Sequence, residues 1–270
     1  MAELAVNGAT IAYDDVGTGD PAFVFIHGWL SNRSVWRLQV ADLSRDLRCL
    51  NVDLRGSGDS SRIPPFDAAT AVEDVAAVIR HAGVAPAVIV GHSFGSLVAL
   101  LLNYRHPELV LGVAMGDPPL TAASAGRLGD AVAMVSEAGS MEVMRPLVES
   151  FFAASTPAQV RREVSEMALA TPVDVAAGML SNAEVFRDQM TELIQAADLK
   201  PFMAIWAATP RGNPEALRER TRFLRQEPVA EAGHFFQLDR PELTNALLRA
   251  FVDDVRRDPR LASSQAERGS

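Results

Sequence analysis

Short runs of apolar, largely β-branched residues alternate along the chain with stretches in which apolar positions recur every three or four residues, the pattern of buried strands set between amphipathic helices. The chain begins with a hairpin signal, Leu4-Ala5-Val6 and Thr10-Ile11-Ala12-Tyr13 flanking Asn7-Gly8. Gly17-Thr18-Gly19 reads as a plain turn. Ala22 to Ile26 is apolar throughout, as a parallel strand covered on both faces requires. A helix over Ser34 to Leu43, a strand at Leu50 to Val52 and an amphipathic helix from Ala69 to His81, closed by Gly83, follow. The strand Ala87 to Val90 leads into a helix at Ser96 to Leu102, and Leu109 to Met115 is the next strand.

From Leu120 to about Ala197 the period is helical only, over Gly129 to Ala138, Met141 to Phe152, Pro157 to Ala168, Val173 to Leu180 and Asn182 to Ala196. Strand character resumes at Phe202 to Trp206. A charged helix from Pro214 to Arg225, a short strand Pro228-Val229-Ala230 and an amphipathic helix from Pro241 to Arg256 complete the pattern. The expected fold class is α/β, a doubly wound, mostly parallel sheet with an inserted helical cap. The core takes residues 1–119 and 198–257, the cap 120–197, and the polar, aperiodic tail 258–270 is expected to fray.

In such a sheet ligands bind beyond the carboxyl ends of the strands, and three segments with chemistry lie there. Gly91-His92-Ser93-Phe94-Gly95 joins strand to helix, and a turn that sharp strains its central residue and leaves room only for very small neighbours. It presents Ser93 as a nucleophile and the Phe94 amide at a helix N-terminus, where negative charge is welcome. His27-Gly28-Trp29 follows the strand at Ala22 to Ile26, so the Trp29 amide is the expected second donor of an oxyanion hole. His27 itself reads as a loop-bracing side chain. Gly116-Asp117-Pro118-Pro119 closes the strand beside the elbow strand.

Charge narrows the function. A net charge of −9 argues against a nucleic-acid partner, whose phosphates demand clustered Lys and Arg. No apolar run is long enough for a membrane span, and the start lacks a basic and apolar leader, so a cytoplasmic address is expected. The single cysteine, Cys49, lies in an apolar run and reads as a small buried hydrophobe. A homodimer is left open.

A serine hydroxyl needs a base, and the base an orienting acid. His234, after glycine in a loop that follows a late strand, is the expected base. His81 and His106 fall near helix ends and read as solvated or capping. The acid has two candidates. In the order Ser, acid, His the loop after Trp206 is the first place to look, but Ala207 to Asn213 holds no carboxylate. Asp117 is the preferred acid and Glu215, at the start of the next helix, the alternative. Asp239 is expected to cap the helix beginning at Pro241, and Asp198 to be a structural loop residue.

Together, His27-Gly28-Trp29, Asp53-Leu54-Arg55-Gly56-Ser57-Gly58-Asp59-Ser60, Gly91 to Gly95 and Gly233-His234 resemble the α/β-hydrolase fold superfamily over roughly Leu4 to Val255. The segment Asp53 to Ser60 is read as a tight polar loop rather than a cation or phosphate site. The absence of an acid after Trp206 departs from most members and is similar to two subgroups, zearalenone-type lactonases and cofactor-independent quinolone dioxygenases. The loop Ala207-Ala208-Thr209-Pro210 is similar to theirs. The resemblance implies a serine hydrolase of an apolar ester or lactone, with no cofactor and no metal; a dioxygenase of a heteroaromatic substrate and a non-catalytic receptor are the alternatives. Trp29, Met134, Met144, Trp206 and Phe235 are expected to contact the substrate.

Overall fold

Alternation along each central strand divides the interior into two layers. In β3 (Phe23–Ile26), Phe23 and Phe25 join one apolar cluster, while Val24 and Ile26 join the other. The same division holds in β5 (Ala87–His92), with Val88 and Val90 facing one way and Ile89 the other. A sheet buried on both faces needs helices on both, and the computed structural model has them. It describes residues 1–181 and 183–261, apart from the side chains of 122–125, 127 and 183–187.

The hairpin β1 (Ala2–Val6) and β2 (Ala9–Val16) is antiparallel, and β2 pairs antiparallel with β4 (Cys49–Val52). The other strands, β3, β5, β6 (Val110–Gly116), β7 (Phe202–Trp206) and β8 (Arg225–Pro228), pair in parallel, giving the order β1-β2-β4-β3-β5-β6-β7-β8. One turn of 3-10 helix, Arg33–Trp36, continues as α1 (Arg37–Leu43), and α2 (Ala68–Ala82) is capped by Asp67 and ended by left-handed Gly83. Helix α3 (Phe94–Arg105) is buried from Phe94 to Asn103, which explains why it is apolar all round rather than amphipathic.

Between β6 and β7 lies the all-helical insertion, α4 (Ala122–Ala138), a 3-10 turn at Met141–Met144, α5 (Arg145–Glu149), α6 (Ala158–Leu169), α7 (Val173–Met179) and α8 (Ala183–Asp198). After β7 come α9 (Pro214–Glu219), β8, α10 (Phe236–Asp239) and α11 (Pro241–Arg257). No helix among the described residues is long and apolar enough to cross a membrane. Cys49 is fully buried, and burial pushes its thiol up to about 12.

Three expectations are corrected. The last strand is Arg225–Pro228 rather than Pro228 to Ala230, because an edge strand needs main-chain pairing with β7 on one side only and tolerates Arg, Gln and Glu. Helix α9 stops at Glu219 instead of reaching Arg225. There the Asp198 carboxylate accepts from the amides of Arg222 and Phe223, 2.6 and 3.0 Å away, and turns the chain into β8. The tail does not fray at Asp258, since Arg260 pairs with Asp258 at 2.5 Å and stacks 4.7 Å over Phe223. Residues 262–270, and Asn182 at the expected start of the last insertion helix, lie outside the described residues.

Candidate active site

Ser93 sits where β5 breaks into α3, with φ 51° and ψ −115°. Leu30 at φ 57° and Asp117 at φ 41° are likewise strained, so residues beyond β3, β5 and β6 all adopt backbone conformations that disfavour side chains. Such strain costs on the order of 1–3 kcal/mol per residue and persists only where the surroundings enforce it. At Ser93 the enforcement is close packing. A Cβ on Gly95 would lie 2.5 Å from the His27 carbonyl oxygen and collide with that of Ile26, and one on Gly91 would strike the Gly95 carbonyl. Gly95→Ala is therefore expected to remove about 3 kcal/mol of stability, a fall in Tm of roughly 6–12 °C by circular dichroism. An unchanged Tm would contradict this packing.

The amides of Trp29 and Phe94 have no acceptor among the described residues. They follow neighbouring strands, since Ile26 of β3 is in register with Gly91 of β5. His27 braces the first of these loops. Its Nε2 accepts from the Leu54 amide at 3.0 Å, which puts the ring proton on Nδ1, where it donates to the Gly28 carbonyl at 2.8 Å. Burial lowers its pKa further, so both nitrogens are committed and the ring stays neutral. The Trp29 indole N–H donates to the Ala176 carbonyl of α7 at 2.8 Å, tying this loop to the insertion.

The adjacency of β5 and β6 carries Asp117 to the same place. His92 is in register with Gly116, so Ser93 and Asp117 leave the sheet side by side. Asp117 is fully buried; its Oδ2 accepts from His234 Nδ1 at 2.6 Å and its Oδ1 from the Arg211 amide at 3.1 Å. His234, 6% exposed, also donates its amide to the Phe151 carbonyl at 2.7 Å, and the two rings lie 5.0 Å apart. Glu215 is exposed on the first turn of α9 and is not brought to this group. Ser93 and His234 line one cleft without a hydrogen bond between them, a separation common in unliganded sites.

The cleft has Trp29, Ser93, Phe94 and His234 on the core side. The insertion adds Leu128, Leu147, Phe151 and Leu180, so the walls are mostly apolar. Of the residues expected to contact substrate only Trp29 lines it. Met134 is 51% exposed on the outer side of α4, and Met144 is buried in the core at 1%. Trp206 aims its indole N–H at Gln226 Oε1, 2.6 Å away on β8. Phe235 packs into the cluster on the opposite face of the sheet, its ring 4.9 Å from that of His92. The position of a residue in sequence could not give the rotation of its helix or strand, and that rotation decides each case.

Sequence reasoning also missed the supports of the His234 loop. Asp239 does not cap α11; its Oδ2 accepts from the Gly233 amide at 2.7 Å and from Thr156 Oγ1 at 2.8 Å, bracing the His234 loop against the insertion. His92, Phe151 and Arg211 were not singled out either. The segment Asp53 to Ser60 is structural, with Arg55 fully paired to Asp74 at 2.8 and 2.9 Å and Asp53 accepting from the Arg33 amide at 2.7 Å.

Known proteins place this geometry in context. The soluble epoxide hydrolase of Corynebacterium sp. (strain C12) is 33% identical over 109 residues, a stretch spanning 40% of this chain and only 38% of that protein. The AB hydrolase superfamily protein YisY of Bacillus subtilis (strain 168) is 26% identical over 259 residues, 90% of this chain and 95% of YisY. A thermophilic esterase from Thermogutta terrifontis shares the fold with a TM-score of 0.84 at 20% identity, over 94% of this chain and 99% of that one. The enol-lactonase from Burkholderia xenovorans LB400 does so with a TM-score of 0.82 at 21% identity, over 93% and 100%. With residues 23–247 matching the family model as well, the chain belongs to the alpha/beta hydrolase family.

Proposed function

We propose that the protein is a serine hydrolase that cleaves a carboxylic ester or lactone of an apolar small molecule, with Ser93 as nucleophile, His234 as base and Asp117 as its orienting acid. The observation that carries the reading is the strained Ser93 facing, across one cleft, a histidine whose Nδ1 proton is held by a buried carboxylate. With that proton fixed on Nδ1, Nε2 is free to take the proton of Ser93 as Oγ attacks the carbonyl carbon. The tetrahedral oxyanion falls to the amides of Trp29 and Phe94, each such donor being worth about 2.7–4 kcal/mol in the barrier. His234 then protonates the leaving alcohol and activates the water that releases the acyl group.

An esterase and an enol-lactonase among the fold neighbours fit this class, and the apolar cleft fits a substrate with little charge. Two amides without an acceptor among the described residues and a strained serine are what acyl transfer requires, and they are the ground for preferring it to the dioxygenase alternative. Incubation with a fluorophosphonate is expected to add one phosphonyl group, found by peptide mass spectrometry on Ser93. Absence of that adduct, together with oxygen uptake on a quinolone panel, would overturn the reading.

A further inference from the structure

His92 is fully buried and takes no part in the chemistry proposed above, yet it adjoins the elbow serine, the loop of His234 and the loop of Gly28. It precedes Ser93 on the elbow, its Nε2 lies 2.9 Å from the main-chain carbonyl oxygen of His234, and the two imidazoles, tilted 45° to one another, have centroids 4.6 Å apart. The acceptor is a carbonyl, so Nε2 carries the proton and donates. Trp36, edge-on at 6.3 Å, and Phe235 hold the ring from other sides. Nδ1 has no partner among the described residues, and a Cβ on Gly28 would come within 3.0 Å of it, so the Gly28–Trp29 loop packs directly on this ring.

An imidazole nitrogen stranded in the interior is unfavourable, and a leucine would fill the same space without one. The bond from Nε2 is what the imidazole adds. Burial also pushes the pKa of His92 well down, which keeps the ring neutral with a single proton to donate.

We propose that His92 is a positioning residue: by holding the carbonyl of His234 from the position next to Ser93, it sets the separation of nucleophile and base. The proposal rests on the roles assigned to Ser93 and His234 above. It is specific about reach. A glutamine places its amide nitrogen where Nε2 lies and can donate to the same carbonyl; an asparagine places it near Nδ1 and cannot; a leucine has no donor.

The test is the rate of Ser93 phosphonylation by a fluorophosphonate, with kcat and KM for p-nitrophenyl acetate and Tm measured on the same proteins. His92→Asn and His92→Leu are expected to label about 30-fold more slowly and to lose kcat by a similar factor, with KM within about twofold, since displacements near 1 Å can cost 100-fold. His92→Gln is expected to stay within about threefold of the parent, and to retain the low-field proton resonance of the His234–Asp117 bond. Equal rates in all variants, or equal slowing in glutamine, asparagine and leucine, would overturn the positioning role. If the parent protein itself is not labelled at Ser93, the nucleophile assignment fails first, and the proposal with it.

Discussion

Ser93→Ala is expected to lower kcat for aryl-ester hydrolysis by about six orders of magnitude, the scale of loss when subtilisin is deprived of its serine. Nothing left in the cleft can replace Oγ as the attacking atom. The amides of Trp29 and Phe94 remain, so a residual rate about 1,000-fold above the uncatalysed reaction should survive, and KM should change little. The fold should tolerate the change, because the hydroxyl makes no hydrogen bond among the described residues and the packing around Gly95, not the side chain, enforces the strained backbone. Stopped-flow measurement of the burst and a thermal melt check both halves. Activity within tenfold of the parent would remove Ser93 from the mechanism.

Asp117→Asn is expected to cost about four orders of magnitude in kcat, on the precedent of the serine protease triad, while Glu215→Gln changes it by less than about threefold. The large effect follows from the second partner of the carboxylate. Oδ1 accepts from the Arg211 amide, which can only donate, so an asparagine must keep its carbonyl oxygen there and turn its NH2 toward His234. Nδ1 then has to accept, the ring proton moves to Nε2, and the base is blocked in the tautomer that cannot take the proton of Ser93. Asp117 is fully buried, so bulk water does not compete for its carboxylate. Should Glu215→Gln produce the loss and Asp117→Asn not, the acid has been misassigned.

What could be read in advance divides along physical lines. The elbow is local: five residues, a strand before and a helix after, fix Ser93 and the Phe94 amide wherever the rest of the chain goes. Asp117 was readable through one long-range inference, that β6 lies beside β5. The family resemblance extended this to the fold, which the eight-stranded order bears out. Strand β8 was misplaced because its polar residues carry no burial signal at a sheet edge. The substrate contacts failed for another reason. Met134 and Leu128 lie on the same helix, but only the packing of α4 decides that Leu128 reaches the cleft and Met134 solvent. Arg211 was hidden too, since its contact with Asp117 is made by its backbone amide.

Two of the bonds that tie the insertion to the candidate site end on main-chain carbonyls. His234 donates its amide to the carbonyl of Phe151, and the Trp29 indole donates to the carbonyl of Ala176. A carbonyl is present whatever side chain is attached to it. Under the proposed mechanism, substitutions at Leu128, Leu147 or Leu180 can therefore reshape what the cleft admits while these two contacts to the His234 and Trp29 loops stay in place. The lining of the cleft can thus vary while these two anchor points of the insertion on the core are kept.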